Sequence, residues 1–225
     1  MEEIELIKNS PVFANLSSND IKYTLENIHY SFQHFDKGEI LAMQDEVCNR
    51  LIILVNGRIK AEMADASGKV VKVEDISAPN PLAILFLFGK ENRFPVQVTA
   101  IEKVQTLIIP KQAVLKMLQL NEQILTNYLN ISAQYASMLS RKLHFMSFRS
   151  IRQKLTMYFL ELTKNNKTYA EMELTQTALA EYFGVSRPSL ARELSNMQNE
   201  GLIIIVDRKR ITIPDRDKLI HLVSF

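Results

Sequence analysis

The stretch LTQTALAEYFGVSRPSLARELSNM, residues 174–197, constrains this chain more than any other. It spells two short helices joined by a tight turn. Leu174, Leu179 and Phe183 mark an apolar face on the first helix, and Ala180 is small where two helices must approach closely. Gly184 tolerates the positive φ that the turn needs. Ser186 is a good N-cap, and Pro188 sits in the first turn, where its missing N–H costs nothing. Leu190, Leu194 and Met197 then recur at helical spacing and point inward. Arg187, Ser189 and Arg192 are left facing outward, and an arginine fork fits guanine O6/N7 or a phosphate. An ordinary helical hairpin with a solvated polar face would share the apolar spacing. The small residue, turn glycine, serine cap and spaced arginines together are those of a helix-turn-helix whose second helix, 186–199, enters a DNA groove. Glu193 departs from the pattern, because it falls where a third apolar residue is often found.

The charge balance agrees with that placement. The net charge is only +2 over 225 residues. Residues 148–225 carry 12 Lys/Arg against 9 Asp/Glu, an excess of +3, whereas residues 1–147 carry 15 against 16, or −1. The positive excess lies with the helix-turn-helix, as a phosphate-binding surface requires. Hydrophobic residues at 47% and charged residues at 23% describe a soluble globular protein of two domains. No apolar run approaches the roughly 18 residues of a membrane span. The acidic N-terminus, MEEIELIKNSPVF, has no signal-peptide core, so a cytoplasmic location is expected. Cys48 is the single cysteine, which excludes an internal disulfide framework. Its thiol reads either as a small buried hydrophobe or as a redox sensor.

Upstream, residues 1–28 read as helical, with Ser17, Ser18, Asn19 and Asp20 offering caps. Short β segments follow at 31–35, 39–42, 50–55, 58–63, 70–76, 96–100 and 104–109. They are separated by turn signals at Asp36-Lys37-Gly38, Asn56-Gly57, Ser67-Gly68 and Pro79-Asn80-Pro81. Many short strands with regular turns predict an antiparallel roll or barrel. A long helix is then expected over about 111–146, some ~50 Å of it. It carries two apolar stripes: Leu125, Leu129, Ala136, Leu139, Leu143 and Met146; and Ile124, Tyr128, Ile131, Tyr135, Met138 and Phe145. Two stripes imply two partners, the roll and the same helix of a second subunit. A monomer with a fully buried helix is the other reading, and the sequence does not assign the stripes. Ser147-Phe148-Arg149-Ser150 marks the domain boundary, giving domains 1–147 and 148–225. Ser150 can cap a helix over 151–162, and Asn165-Asn166-Lys167 begins a loop. Segments 202–206 and 211–213 flank Asp207-Arg208-Lys209-Arg210, a hairpin wing whose basic tip is either solvated or set, through Lys209, against a phosphate. The fold class is therefore α+β, with an N-terminal roll, a long helix and a C-terminal winged helix-turn-helix.

This order resembles the Crp/Fnr family of bacterial transcription regulators over essentially the whole chain. The segment from Gly184 to Arg192 carries the resemblance. Leu51 to Gly57 looks like the family's roll strand ending in glycine, and Asn121 to Leu125 with Ser132-Ala133-Gln134 looks like its dimerisation helix. The resemblance implies a cyclic-nucleotide-binding-like sensor domain and a homodimer reading a two-fold operator on double-stranded DNA. RNA polymerase and a small-molecule effector are the further partners it implies. It also implies base reading by Arg187 and Arg192 and phosphate contacts from Thr175 and Thr177. With Ser186, Ser189 and Lys209 these complete the expected DNA-binding set. Pro188 stands where the family often has a glutamate that accepts from a cytosine amino group, so a different half-site is expected.

The effector region departs further. Cyclic-nucleotide binders of the family carry a Gly-Glu pair and then an Arg-Ser pair, but here the glutamate position is Ile84 and the arginine position Phe94. Arg93 lies one residue from the arginine site, and a shifted register would restore a phosphate contact. On the long helix, Leu139 and Ser140 stand where two hydroxyl residues reach the nucleotide base. The effector is therefore unknown and not expected to be cyclic AMP. Residues 82–88 read either as core or as the lining of a pocket for a hydrophobic ligand. His29, His34, His144 and His221 form no ligand-spaced pair, so haem is not expected, nor any other cofactor or metal. No metal spacing, Gly-rich phosphate loop or Ser/His/Asp cluster points to an enzyme. The competing function is a ligand-binding module whose helix-turn-helix mediates protein contacts.

Overall fold

The computed structural model describes residues 2–65, 67–163, 168–207 and 209–223, without the side chains of Glu2 and Met146. The expected loop residues Asn165, Asn166 and Lys167 and the wing-tip Arg208 lie outside the described residues. By packing, the chain divides into two compact units between Tyr135 and Ala136.

The first unit begins with α1 (Glu2–Lys8), a 3-10 turn at Pro11–Phe13 and α2 (Ser18–Glu26). The expected helical region is thus interrupted. Ser17 and Asp20 close a reciprocal capping box that starts α2 afresh. Eight strands follow: β1 (Ser31–Phe35), β2 (Ile40–Ala42), β3 (Arg50–Asn56), β4 (Arg58–Ala64), β5 (Val70–Ser77), β6 (Asn80–Leu82), β7 (Gln97–Ala100) and β8 (Val104–Pro110). They form two antiparallel four-stranded sheets, β1-β8-β3-β6 and β2-β7-β4-β5. Leu51 to Val55 of β3 are buried without alternation, because β3 is covered on both faces, with α1 and α3 (Lys111–Leu120) packed against it. The Pro79-Asn80-Pro81 signal, expected as a turn, contributes β6 instead. Pro81 pairs with Ile53 on the edge of its sheet, where a missing N–H is tolerated. Gly57 joins β3 to β4 with φ +89°, and a Cβ there would lie 2.7 Å from the Lys103 carbonyl oxygen. β5 closes the other sheet at its edge. It is exposed along almost its whole length, with Val70, Val71 and Val73 interleaved with Lys72, Glu74 and Asp75, and its pairing with β4 slips between Ala61 and Glu62.

The single helix expected over 111–146 is two. α3 stops at Leu120, and α4 runs over Glu122–Ser147. Asn121 is extended, and its Oδ1 accepts from the N–H groups of Gln123 (2.9 Å) and Ile124 (3.2 Å). An asparagine that bonds the next turn's donors is a helix start, and it overrides the continuous apolar period. The 26 residues of α4 span roughly 39 Å. Ile124, Tyr128 and Ile131 enter the core of the roll. Asn127, buried beside them, donates from Nδ2 to the carbonyls of Val12 and Ala14 at 3.1 and 2.8 Å.

The second unit contains α5 (Ile151–Leu162), β9 (Tyr169–Glu171), α6 (Gln176–Phe183), α7 (Arg187–Asn199), β10 (Ile204–Ile205), β11 (Arg210–Thr212) and α8 (Arg216–His221). α5 has the expected bounds, and Ser150 caps it in a reciprocal box with Gln153. The end of α4 counts with this unit because Phe145 is buried against the rings of Tyr182 (5.5 Å) and Phe183 (5.4 Å). Strand order β10-β11-β9 makes the wing a three-stranded sheet. Its third strand and α8, which is capped by Asp215, are additions to the expected pattern. Arg216 donates to the carbonyls of Leu160 and Thr163 and so satisfies the C-terminal end of α5.

Candidate nucleic-acid interface

α6 and α7 meet as the sequence predicts. Thr175 caps α6 by accepting from the Ala178 N–H at 3.2 Å. Gly184 takes a left-handed conformation (φ 67°, ψ 36°), and the Val185 N–H returns to the Ala180 carbonyl at 2.9 Å. A Cβ at Gly184 would meet nothing within 4 Å, so the backbone conformation alone requires glycine there. Lys154 of α5 donates to the Phe183 carbonyl at 2.9 Å, a cation on the exposed carbonyl end of α6. Ser186 caps α7 through the Ser189 N–H (3.2 Å), and the two hydroxyls share a further hydrogen bond of 2.8 Å.

Leu190, Leu194 and Met197 are all buried, which fixes the inner face of α7. The opposite face carries Pro188 and Arg192, both exposed, with Ser189 beside them. Arg187 is exposed at the first helical residue. Neither arginine makes an ion pair among the described residues. Ser195 and Asn199 continue the exposed row at i, i+4, i+7 and i+11 from Pro188. Sequence reasoning overlooked these two, although extending the 3.6-residue period would have found them. Thr177 is exposed on α6.

Glu193 does not face outward. Its Oε1 accepts from Arg152 Nε at 2.6 Å and its Oε2 from Asn196 at 3.3 Å. The residue that departs from the apolar pattern is α7's polar tie to α5.

At the wing, the Lys209 N–H donates to Asp207 Oδ1 (2.8 Å), while the Lys209 ammonium is exposed and unpaired among the described residues. Arg210 is committed to Asp207 at 2.7 Å. The Lys209 N–H and then Arg210 hold the Asp207 carboxyl below the usual carboxylate range.

In the stretch 82–94 several apolar side chains belong to the core. Ile84 and Phe94 are fully buried. Leu82 and Leu87 join them in the core, while Phe86 and Phe88 are partly exposed. The Tyr128 hydroxyl donates to the Ile84 carbonyl at 2.7 Å. The nearby cations are engaged: Arg93 donates to the Asp45 carbonyl at 2.6 Å, and Arg50 to Glu46 at 2.7 Å while lying 5.4 Å over the Phe94 ring. Arg50 in turn holds the Glu46 carboxyl below its ordinary range. Cys48 is buried, and burial pushes its thiol up, away from the reactive thiolate. Among the described residues no His/Cys/Asp/Glu group is arranged to hold a metal, and no helix is long and apolar enough to cross a membrane.

A roll, a long helix and a winged helix-turn-helix with an arginine-bearing outer face describe a DNA-binding regulator. Two family descriptions match, the cyclic nucleotide-binding domain over residues 32–121 and the Crp-like helix-turn-helix domain over residues 153–222. A transcriptional regulator of Thermotoga maritima of known structure is 31% identical, covers 56% of this chain and 97% of its own, and has a TM-score of 0.53. The chain is also 20% identical to the anaerobic regulatory protein of Bacillus subtilis, over 93% of this chain and 90% of that one. The catabolite activator protein of Thermus thermophilus shares the fold, with a TM-score of 0.57 at 15% identity over 95% and 98% of the two chains. The chain belongs to the Crp/Fnr family of DNA-binding transcription regulators, a family of regulators rather than enzymes.

Proposed function

We propose that the protein binds double-stranded DNA as a homodimer and reads a two-fold symmetric operator with α7. The observation that carries this reading is the pair of exposed arginines, unpaired among the described residues, on a helix whose inner face is fixed by three buried residues. Arg187 and Arg192 face base edges, with Ser189 beside Arg192. Thr175, Thr177, Ser186 and Lys209 lie toward phosphates, Thr175 and Ser186 while also capping their helices. RNA polymerase is the further partner, and domains 1–147 and 148–225 meet at Ser147–Ser150.

The dimer forms through the first stripe of α4. Leu125, Leu129, Leu139 and Leu143 are 38–68% exposed, while Ile124, Tyr128 and Ile131 are in the core. With Ser132 and Ala136 the exposed residues alternate at four and three, the a/d spacing of a coiled coil. Paired helices of this kind hold two recognition helices about 34 Å apart, one turn of the duplex.

The effector is not cyclic AMP. A cyclic phosphate in a desolvated pocket needs a cation, and Phe94 at the matching position is buried and uncharged.

The test is binding to the sequence that the protein selects from a random duplex pool, titrated against salt. Wild-type affinity should fall steeply with salt, because phosphate contacts release counterions. Arg192→Ala should cost about 1–3 kcal/mol on the selected site and relax its base preference, while Lys209→Ala weakens all sequences alike. Equal losses on selected and random DNA for Arg192→Ala would remove that residue from base reading. Salt-insensitive association would favour a helix-turn-helix that contacts protein.

A further inference from the structure

Arg152 lies in the first turn of α5, away from the exposed face of α7, yet each of its three guanidinium nitrogens donates to α7 or its C-cap. Nε donates to Glu193 Oε1 at 2.6 Å, and the two Nη atoms donate to Glu200 Oε2 and Oε1 at 2.8 and 2.7 Å. Glu193 sits in the middle of α7 and Glu200 is its C-cap. Seven residues separate them, roughly 10 Å along the helix axis. One contact would fix a distance and leave α7 free to pivot. Two contacts on a rigid planar fork, spaced along the axis, also oppose rolling and tilting. The buried residues Leu190, Leu194 and Met197 cannot do this alone, since apolar contacts are non-directional.

The angle matters because Arg192 is the neighbour of Glu193. Side-chain atoms ride about 5–6 Å from the helix axis. A roll of roughly 20° therefore carries them about 2 Å, beyond the tolerance of a bidentate hydrogen bond.

We propose that Arg152 is a positioning residue for base recognition: by bridging Glu193 and Glu200 it sets the azimuth of α7, and with it the aim of Arg192 and Ser189. This rests on the reading of α7 as the recognition helix. A contribution to fold stability is a separate role, which a bidentate arginine in a three-charge network can also have; it would lower the melting point without changing the ratio of selected to random affinity in folded protein. Neutralisation of two carboxylates near DNA is a different role with a different signature. Its loss would weaken selected and random sequences equally, whereas misalignment of α7 affects the selected sequence.

The experiment compares wild type, Arg152→Lys, Arg152→Ala and Arg192→Ala on the duplex selected by the wild type and on a random pool, at a temperature where circular dichroism finds each variant folded. Arg152→Lys keeps the charge and loses the fork. Both Arg152 variants should lose about tenfold in the ratio of selected to random affinity, within the range expected for one misaligned bidentate base contact, and Arg152→Lys should keep its affinity for the random pool. If Arg152→Ala does not fold, Glu193→Gln with Glu200→Gln gives the same reading by weakening the acceptors. An unchanged ratio in the folded Arg152 variants, with the ratio lost in Arg192→Ala, overturns the positioning role alone. Retention of the ratio in Arg192→Ala, or no sequence selected by the wild type, overturns the recognition-helix reading and the positioning role with it.

Discussion

Tyr128 ties α4 to the segment that follows β6, and burial pushes its phenol up to about 12. An unfolded tyrosine ionises near 10. Between those values the native state keeps a proton that the unfolded state releases. Tyr128's contribution to stability is therefore whole below about pH 10 and is lost as pH rises through about 12. Tyr135, Tyr158 and Tyr182 are pushed in the same direction by burial. Replacing Tyr128 by Phe should cost about 1–3 kcal/mol at neutral pH, because the Ile84 carbonyl loses its donor, and should flatten the alkaline limb of the stability curve. Urea melts from pH 7 to 11.5 read both effects. A variant as steep as wild type above pH 10 would place the alkaline sensitivity in the other tyrosines. At this scale the sequence was informative wherever a residue serves its own helix, as Ser186, Gly184 and Ser150 do. It was silent on Glu193, whose partner Arg152 is 41 residues away.

The elements divide the same way. Strands bounded by glycine turns, and the helix Ile151–Leu162 with its serine cap, were legible because local chemistry ends them, whereas the proline signal at 79–81 hid β6. The break at Asn121 was not, because the apolar period runs across it and only the cap geometry separates α3 from α4. β9 and α8 are short, and they are held by pairing with β11 and by the capping of Asp215 rather than by a period of their own. The two stripes of α4 could be read but not assigned from sequence; taking the first as the dimer interface, as proposed, rests on Leu125 and Leu129 being exposed where Ile124, Tyr128 and Ile131 are in the core, with Tyr135 and Met138 of the second stripe exposed further along. That assignment predicts opposite outcomes for two charges on one helix. Leu129→Glu, on the exposed stripe, should leave a folded protein that sediments as a monomer of about half the wild-type mass and binds its operator weakly. Ile124→Glu buries a charge in the roll and should unfold it, as an unpaired buried charge costs several kcal/mol. A Leu129→Glu protein that still sediments as a dimer would move the interface off this stripe.

For the molecule as a whole, what it does in a crowded solution follows from β5. A sheet that ends in an uncovered strand offers its free N–H and C=O groups to any other extended chain. Here that strand also presents Val70, Val71 and Val73, a run with the β-propensity from which cross-β stacks grow. Lys72, Glu74 and Asp75 stand between and beside the valines, and Lys72 pairs with Asp75 at 2.6 Å. Being exposed, they are expected to add little to the fold, while charges on an edge strand oppose its extension by a second chain. Lys72→Thr with Glu74→Thr and Asp75→Thr should melt within about 1 kcal/mol of wild type and bind DNA as before. At concentrations where the wild type stays clear, it should scatter light and bind an amyloid dye. A clear solution of that triple variant would leave the guarding of the edge to the slipped pairing at Ala61 and Glu62.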